Sequence, residues 1–386
     1  MTAPFRIGID ARAFTSPAGG MRRYVWEIYT RLPRLEPGID VIAIGATDAD
    51  ALPADLARRP ATPFPTNLGW TAASLPLAIR GAGLDVFHAP AYTAPLWGVH
   101  PQVLTIHDVS YERVPEWNAY KNDPARRWFY RRSALAADAV ITDSQFSKDE
   151  IAAAYGIPPD TIRVIPLAAA ATFTPGPFDA GLAPPGVTQP YVLHVGDLQV
   201  RRNLTTALAA VLKLRRSTDF HISTFPNFHI SKFVCAGVDR GIGPELVAQA
   251  RAAGDPEAIV VTGPVSEAVL LNLYRGAALL LYPSRYEGFG LPILEAMQCG
   301  VPVVAANTSS LPELVGDAGP LLPALDVEAW AAAIRSILAN PSESARLRAL
   351  SLARAATFSW DRTARETLAA LRAAVARATA PRTTQP

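Results

Sequence analysis

Tyr286-Glu287-Gly288-Phe289-Gly290-Leu291-Pro292-Ile293-Leu294-Glu295-Ala296 sets two carboxylates eight positions apart across a glycine-rich turn that opens a helix. The apolar run Ala277 to Tyr282 just before it reads as a buried strand. Pro292 suits the first helical position, where a missing N–H costs nothing. The amides of Gly288, Phe289 and Gly290 then point beyond the sheet, and helix N-termini attract anions and oxygen-rich ligands. Glu287 is placed in the turn and Glu295 in the first helical turn, so both can face one ligand. Carboxylates accept hydrogen bonds from sugar hydroxyls and a helix N-terminus favours phosphate, a combination that suits a sugar nucleotide. The plainer alternative is an ordinary strand-turn-helix with two solvated glutamates, since acidic residues favour helix starts for dipole reasons alone.

Outward from this stretch, short apolar runs alternate with longer helical patterns. Strands are expected at Arg6–Ile9, Val41–Ile44, Val86–His88, Val103–Ile106, Ala139–Thr142 and Arg163–Pro166. They resume at Tyr191–Val195 and continue through Phe233–Ala236, Ile259–Thr262, Leu279–Tyr282 and Val301–Ala305. Such alternation predicts parallel sheets covered by helices on both faces. Between the two series, Pro175 to Pro190 is rich in Gly and Pro and reads as a linker. The expected division is therefore a first α/β domain over 1–174, a linker over 175–190, a second doubly wound domain over 191–360, an alanine-rich helix over 361–378 and a frayed tail over 379–386. Ligands of such open sheets bind beyond the carboxyl ends of the strands.

The composition fits this. Hydrophobic residues make up 49% and charged residues 18% of the 386, as in a globular chain and unlike a disordered one. A net charge of +2 predicts no strong nucleic-acid partner. Cys235 and Cys299 each sit in apolar surroundings, so buried free thiols are expected and no disulfide framework. Met1-Thr2-Ala3-Pro4 leads directly into the first strand pattern, and no apolar run approaches the roughly 20 residues of a membrane span, so a cytoplasmic enzyme is expected. Lysine is rare among the basic residues, which bears on a motif below.

Four further stretches carry chemistry. Val195-Gly196-Asp197-Leu198-Gln199-Val200-Arg201-Arg202-Asn203-Leu204 follows a strand and opens a helix; the alternative to an anion site is a pair of solvated arginines at a loop tip. Ser16-Pro17-Ala18-Gly19-Gly20-Met21-Arg22-Arg23-Tyr24 holds a Gly-Gly turn that lets backbone approach a phosphate, or is a flexible surface turn. Leu104-Thr105-Ile106-His107-Asp108 puts a histidine at the carboxyl end of a strand, while His88, ending the preceding strand, reads as structural. Ser144 and Ser147 are expected to cap the next helix. Arg126-Arg127-Trp128-Phe129-Tyr130-Arg131-Arg132 is basic and aromatic; it reads either as a partly buried helix with a solvated arginine face or as a docking face for anionic lipid.

These stretches together resemble the retaining GT-B glycosyltransferases that carry a Glu-x7-Glu motif (family four, group 1), in particular bacterial mannosyltransferases. The resemblance runs from Gly8-Ile9-Asp10-Ala11-Arg12 to Phe358-Ser359-Trp360. It implies two Rossmann-like domains facing across a cleft, with the C-terminal helix returning to the first. It assigns Glu287, His107, Arg201 and Arg202 to catalysis, with Arg202 standing where relatives carry lysine. Donor binding is assigned to Gly19, Gly20, Gly196, Gly288, Phe289, Gly290, Leu291, Glu295, Pro264 and Val265. Arg23, Tyr24 and Ser144 fall on the acceptor side. Thr308-Ser309-Ser310 is expected to support the nucleotide pocket.

The implied reaction is transfer of a hexose, with mannose from GDP-mannose the leading choice, to a glycan or lipid-linked acceptor in polysaccharide or lipopolysaccharide assembly. A UDP-sugar donor, a sugar-nucleotide epimerase and a non-catalytic binding scaffold are the competing readings. No cofactor is expected and no metal: Asp48-Ala49-Asp50 reads as a solvated turn, and His221 and His229 lack further ligands. The arginines are expected to do a metal's work. Arg126, Arg127, Arg131 and Arg132 mark a possible contact with the inner face of a membrane. Pro166-Leu167-Ala168-Ala169-Ala170 departs from relatives, which carry Gly and Asp there.

Overall fold

β-Branched and leucine-rich runs build two all-parallel sheets. The computed structural model describes residues 3–16, 19–45, 52–114, 117, 123–216 and 232–379; Asp48-Ala49-Asp50, Phe220–His229 and the end of the tail lie outside them. The first sheet comprises β1 (Phe5–Asp10), β2 (Ile39–Ile44), β3 (Ala57–Arg59), β4 (Val86–Ala89), β5 (Gln102–Thr105), β6 (Ala139–Thr142) and β7 (Ile162–Val164) in the order β3-β2-β1-β4-β5-β6-β7. The second comprises β8 (Tyr191–Val195), β9 (Lys232–Ala236), β10 (Ile259–Gly263), β11 (Ala277–Tyr282), β12 (Val303–Ala306) and β13 (Leu321–Leu322) in the order β10-β9-β8-β11-β12-β13. Every residue of β8, and of β4, β5, β6 and β12, is buried, as expected for strands covered on both faces.

The chain divides into two compact units. The first contains Met1–Leu167 and Ser359–Pro386, the second Ala168–Phe358. Each has the doubly wound order whose direction reverses once, between β1 and β4 in the first and between β8 and β11 in the second. Within the first unit, the C-terminal helix Trp360–Thr379 packs on helix Gly19–Tyr29 and against β4, β5 and β6. Arg31 Nε donates to Asp361 at 3.0 Å, and Thr363 Oγ1 donates to the Pro166 carbonyl at 2.7 Å.

Two strands escaped the sequence reading. β3 is three residues of mixed exposure and β13 only two, so neither carries an apolar signature. The Pro175–Pro190 stretch is laid along helix Glu267–Gly276 within the second unit: Asp179 N–H donates to Asn272 Oδ1 at 2.8 Å, and Asn272 returns a bond to the Asp179 carbonyl at 2.8 Å. Leu167 to Ala170 are buried, and Gln298 Nε2 donates to the carbonyls of Ala170 and Phe173, both at 2.8 Å. An apolar stretch stands where the resemblance implied Gly and Asp.

Candidate active site

The reversal point of the second sheet lies between β8 and β11, and the segments that leave their carboxyl ends are 196–203 and 283–290. This is where an open α/β sheet leaves a crevice for ligand. Asn203, at φ 54°, ends the first segment in the left-handed region, which favours Asn or Gly. Its amide donates to the carbonyls of Pro283 at 3.2 Å and Ala324 at 2.7 Å, while its oxygen accepts from Thr206 Oγ1 at 2.9 Å. Arg285 N–H donates to the Arg201 carbonyl at 2.8 Å. The two segments are thereby held together.

Arg201 and Arg202 both turn to Glu287. Arg201 Nη1 lies 3.1 Å from Glu287 Oε1 and donates to the Tyr286 carbonyl at 2.6 Å. With its amide oxygen turned toward Arg201, Gln199 accepts from Nε at 3.1 Å and Nη2 at 3.3 Å. Arg202 Nη1 donates to the same Glu287 oxygen and to the Tyr282 hydroxyl, and its guanidinium lies 5.1 Å from the centre of the Tyr282 ring. Arg202 is 8% and Glu287 5% exposed. The arginines are thus part of a buried ionic cluster and not a solvated pair at a loop tip. Two guanidinium groups share one carboxylate, which leaves net positive charge in a place shielded from water, where electrostatic effects are strong. Gly196 makes room for this: at φ 131°, a Cβ there would lie 3.3 Å from Arg202 Nη2.

The Glu287 turn is fastened by the serines. Glu287 N–H donates to Ser309 Oγ at 2.9 Å, and Ser310 Oγ donates to the carbonyls of Glu287 and Phe289, both at 3.0 Å. Gly288, Phe289 and Gly290 are buried in the turn, and Phe289 meets the Phe358 ring edge-on at 6.0 Å. Gly290, at φ 112°, is the N-cap of helix Leu291–Gln298. Leu291 therefore takes the first helical position and Pro292 the second. Glu295 falls one residue beyond the first turn, which contains no acidic residue. The glycine cap shifts the helix start by one residue from the sequence expectation. Glu295 is 5% exposed and accepts from the Tyr274 hydroxyl at 2.9 Å. Pro264 and Val265 follow β10, Pro264 exposed and Val265 half-buried. Below the cluster, His194 is fully buried, stacked on Tyr282 with centroids 5.3 Å apart; burial, then Arg202, pushes its pKa down to about 3.

The first unit holds a second cluster at the carboxyl ends of β4, β5 and β6. His107 Nδ1 lies 2.7 Å from Asp143 Oδ2. Burial raises the Asp143 carboxyl above its ordinary range, and His107 works against that rise. Tyr24 meets the His107 ring edge-on at 5.0 Å, and its hydroxyl bonds Thr105 Oγ1 at 2.9 Å. At 2% exposure, Tyr24 packs against His107 from the interior. Thr105 Oγ1 also bonds His88 Nε2 at 2.8 Å, and His88 Nδ1 bonds the Tyr29 hydroxyl. Ser144 Oγ caps helix Gln145–Tyr155 by accepting from Ser147 N–H at 3.0 Å. Gly19 and Gly20 are the exposed first residues of helix Gly19–Tyr29, not a turn ahead of it, and Arg23 is half-buried one turn on.

Asp143, Tyr282, Tyr274 and Gln199 went unnoticed in the sequence. Asp143 could have been found from register: Thr105 pairs with Ile141 across parallel strands, so residues two further on, His107 and Asp143, emerge side by side. No group of three or more potential metal-ligating side chains occurs among the described residues.

Two Rossmann-like domains, with a buried arginine–glutamate cluster at one reversal point, fit a glycosyltransferase of the GT-B type, and similarity to known proteins shows that class. Residues 189–340 match the family described as glycosyl transferases group 1, and residues 18–169 match glycosyltransferase family 4. The chain is 34% identical over 305 residues to the O-antigen chain mannosyltransferase B of Escherichia coli, covering 75% of each chain. It is 31% identical to a D-inositol 3-phosphate glycosyltransferase of Acidothermus cellulolyticus, over 93% of this chain and 86% of that one. Among solved structures, the fold is shared with sucrose-phosphate synthase from Thermosynechococcus elongatus, with a TM-score of 0.72 at 19% identity over 97% of this chain and 100% of that one. Anabaena HepE in complex with UDP and glucose gives 0.68 at 19% identity over 95% and 99%. The chain belongs to the family 4, group 1 glycosyltransferases, and it is a transferase.

Proposed function

We propose that this enzyme is a retaining hexosyltransferase that moves mannose from GDP-mannose to a glycan or lipid-linked acceptor in bacterial polysaccharide assembly. The observation that carries the transferase chemistry is the pairing of Arg201 and Arg202 on one carboxylate at the β8–β11 reversal point. The donor's diphosphate takes up the surplus positive charge there. As the bond from the anomeric carbon to the diphosphate oxygen breaks, negative charge grows on that oxygen, and preorganised cations lower the barrier. The acceptor hydroxyl attacks on the face the diphosphate is leaving. Its oxygen bonds the anomeric carbon and its proton passes to the departing diphosphate. Configuration is retained, and no divalent metal takes part. Glu287 and Glu295 are assigned to donor sugar and ribose hydroxyls, and His107, oriented by Asp143, to the donor sugar.

Mannose and GDP are favoured by the likeness to the O-antigen mannosyltransferase; a UDP-sugar is the runner-up. Thermal-shift screening with GDP, UDP, ADP and their common sugars in EDTA tests both points. A ligand at 100 times its Kd adds about 2.7 kcal/mol of stability. Stabilisation by UDP-sugars alone would overturn the donor choice. Stabilisation that requires Mg²⁺ or Mn²⁺ would overturn the metal-free mechanism.

A membrane-borne acceptor is favoured by helix Pro124–Ala136. Trp128 is 59% and Leu135 46% exposed, seven positions apart and so on one face, with exposed Arg131 and Arg132 between them. Arg127 departs from the expected set, since its Nε donates to Glu112 at 2.8 Å. No described helix is long and apolar enough to cross a membrane. Co-sedimentation with phosphatidylglycerol vesicles should fall on Trp128→Ala combined with Arg131→Ala and Arg132→Ala. Unchanged binding would remove this surface from the account.

A further inference from the structure

Glu287 and a diphosphate ask for the same donors. Arg201 Nη1 and Arg202 Nη1 both aim at Glu287 Oε1, and an N–H given to a carboxylate is not given in full to a phosphate oxygen. The backbone that carries the carboxylate is fixed on both sides, by Ser309 at the N–H and Ser310 at the carbonyl. The arginines are equally fixed. Arg202 is bonded to Tyr282 and packed against Gly196, and Arg201 is bonded to the Tyr286 carbonyl. Two arginines and the turn that carries Glu287 are thus held in place, in a largely buried setting where one charge alters the affinity for an anion strongly.

We infer that Glu287 competes with the nucleoside diphosphate product for Arg201 and Arg202, so that it weakens product binding and speeds product release. The inference rests on the reading that these arginines hold the donor's diphosphate. It adds a duty for Glu287 beyond contact with the donor sugar. A site with two guanidinium groups and no carboxylate would grip any diphosphate; one carboxylate between them limits that grip. The limit matters most for the product. Its terminal phosphate keeps only the anhydride link and carries more negative charge than the same phosphate while it is esterified to the sugar. Loss of the Glu287 charge should therefore tighten product more than donor, a pattern that traps the enzyme after turnover.

Calorimetry in EDTA tests this with GDP and with inorganic pyrophosphate on the wild-type chain, Glu287→Gln, Glu287→Asp and Arg201→Ala. Glu287→Gln should bind GDP and pyrophosphate about tenfold more tightly, and release of a fluorescent GDP analogue should slow to match. Glu287→Asp keeps the charge and should stay within about twofold of wild type by the same reasoning. Equal or weaker binding by Glu287→Gln, or tightening by Glu287→Asp as large as by Gln, would overturn the inference. Should Glu287→Gln fail to fold, pyrophosphate should restore its folding, because the anion replaces the missing counter-charge; no restoration would also count against it. Arg201→Ala separates the two levels. If it binds GDP as well as wild type, the diphosphate reading itself fails. If it loses GDP while Glu287→Gln gains nothing, only the competition fails.

Discussion

The reversal point of the second unit and the strand-end cluster of the first come from the same topology and differ in charge. In the second unit, the loops after β8 and β11 gather two arginines on one buried glutamate. In the first, the strand ends carry a hydrogen-bonded row of Tyr29, His88, Thr105 and Tyr24, with His107 and Asp143 beside it. Burial pushes the His88 pKa down to about 3, so this histidine stays neutral across the working pH range. The second unit's cluster sets two arginines on one carboxylate, while the first unit's sets neutral groups around a histidine–carboxylate pair, its sheet carrying a cation as well at the end of β1, where Arg12 lies 2.6 Å from Asp10. The fold sets where a ligand can sit, and the loop residues set whether that ligand is an anion or a set of hydroxyls.

The sharpest way to break this contrast is to remove a cation. Arg201→Ala should lower turnover by about two orders of magnitude or more, as for loss of a preorganised charge-stabilising donor. Steady-state rates in excess EDTA check it. A loss of less than tenfold would mean that the arginines are structural.

A second test uses the histidine that each unit buries. His88 and His194 both have pKa values pushed down to about 3, with burial the largest cause. Below the ordinary histidine pKa the unfolded chain takes up protons that the folded chain refuses, so stability falls as pH falls and is fully present above about 6.5. Between pH 8 and pH 5 each histidine should cost about 2 kcal/mol. Urea titrations at both pH values should show that His88→Gln and His194→Gln each reduce the drop by about that amount. A drop of wild-type size in either variant would show that the imidazole is protonated in the fold.

Asp143→Asn sharpens the picture of the first unit. Asparagine fills the same space without the charge, so His107 loses its orienting partner. The expected result is a fall in kcat of roughly tenfold with the donor KM little changed. A structural role alone would leave the pH profile of kcat in place; on this account it shifts. The smallest effect is expected from Arg202→Lys. The substitution restores the residue type expected from relatives and keeps the charge, but gives up the fork that reaches both Glu287 and Tyr282. Activity should fall by less than about tenfold; a fall as large as that of Arg201→Ala would show that the tyrosine contact is essential here.

Much of this was legible in the chain. Ala139–Thr142 and Tyr191–Val195 were readable as strands because continuous apolar runs bounded by polar residues mark fully buried parallel strands. β3 and β13 were not, because edge strands of two or three residues carry no such run. The Gly290 cap moved Pro292 and Glu295 along their helix by one position, a shift that depends on a backbone angle and not on hydrophobic pattern. Arg201 and Arg202 stood out as a basic pair, but the buried cluster they join did not, because Tyr282 and Glu287 reach Arg202 from 80 and 85 residues further along the chain. Tyr24 was placed by the resemblance alone; that its ring packs inward beside His107 was not legible from the motif.

The central claim is that the nucleotide belongs to the cationic reversal point of the second unit. Hydrogen–deuterium exchange with and without GDP, in EDTA, tests it most directly. The account predicts protection in peptides covering 196–204 and 283–295, and none in peptides covering 105–110 or 142–147. Protection confined to the histidine cluster of the first unit, or no protection until a divalent metal is added, would contradict it.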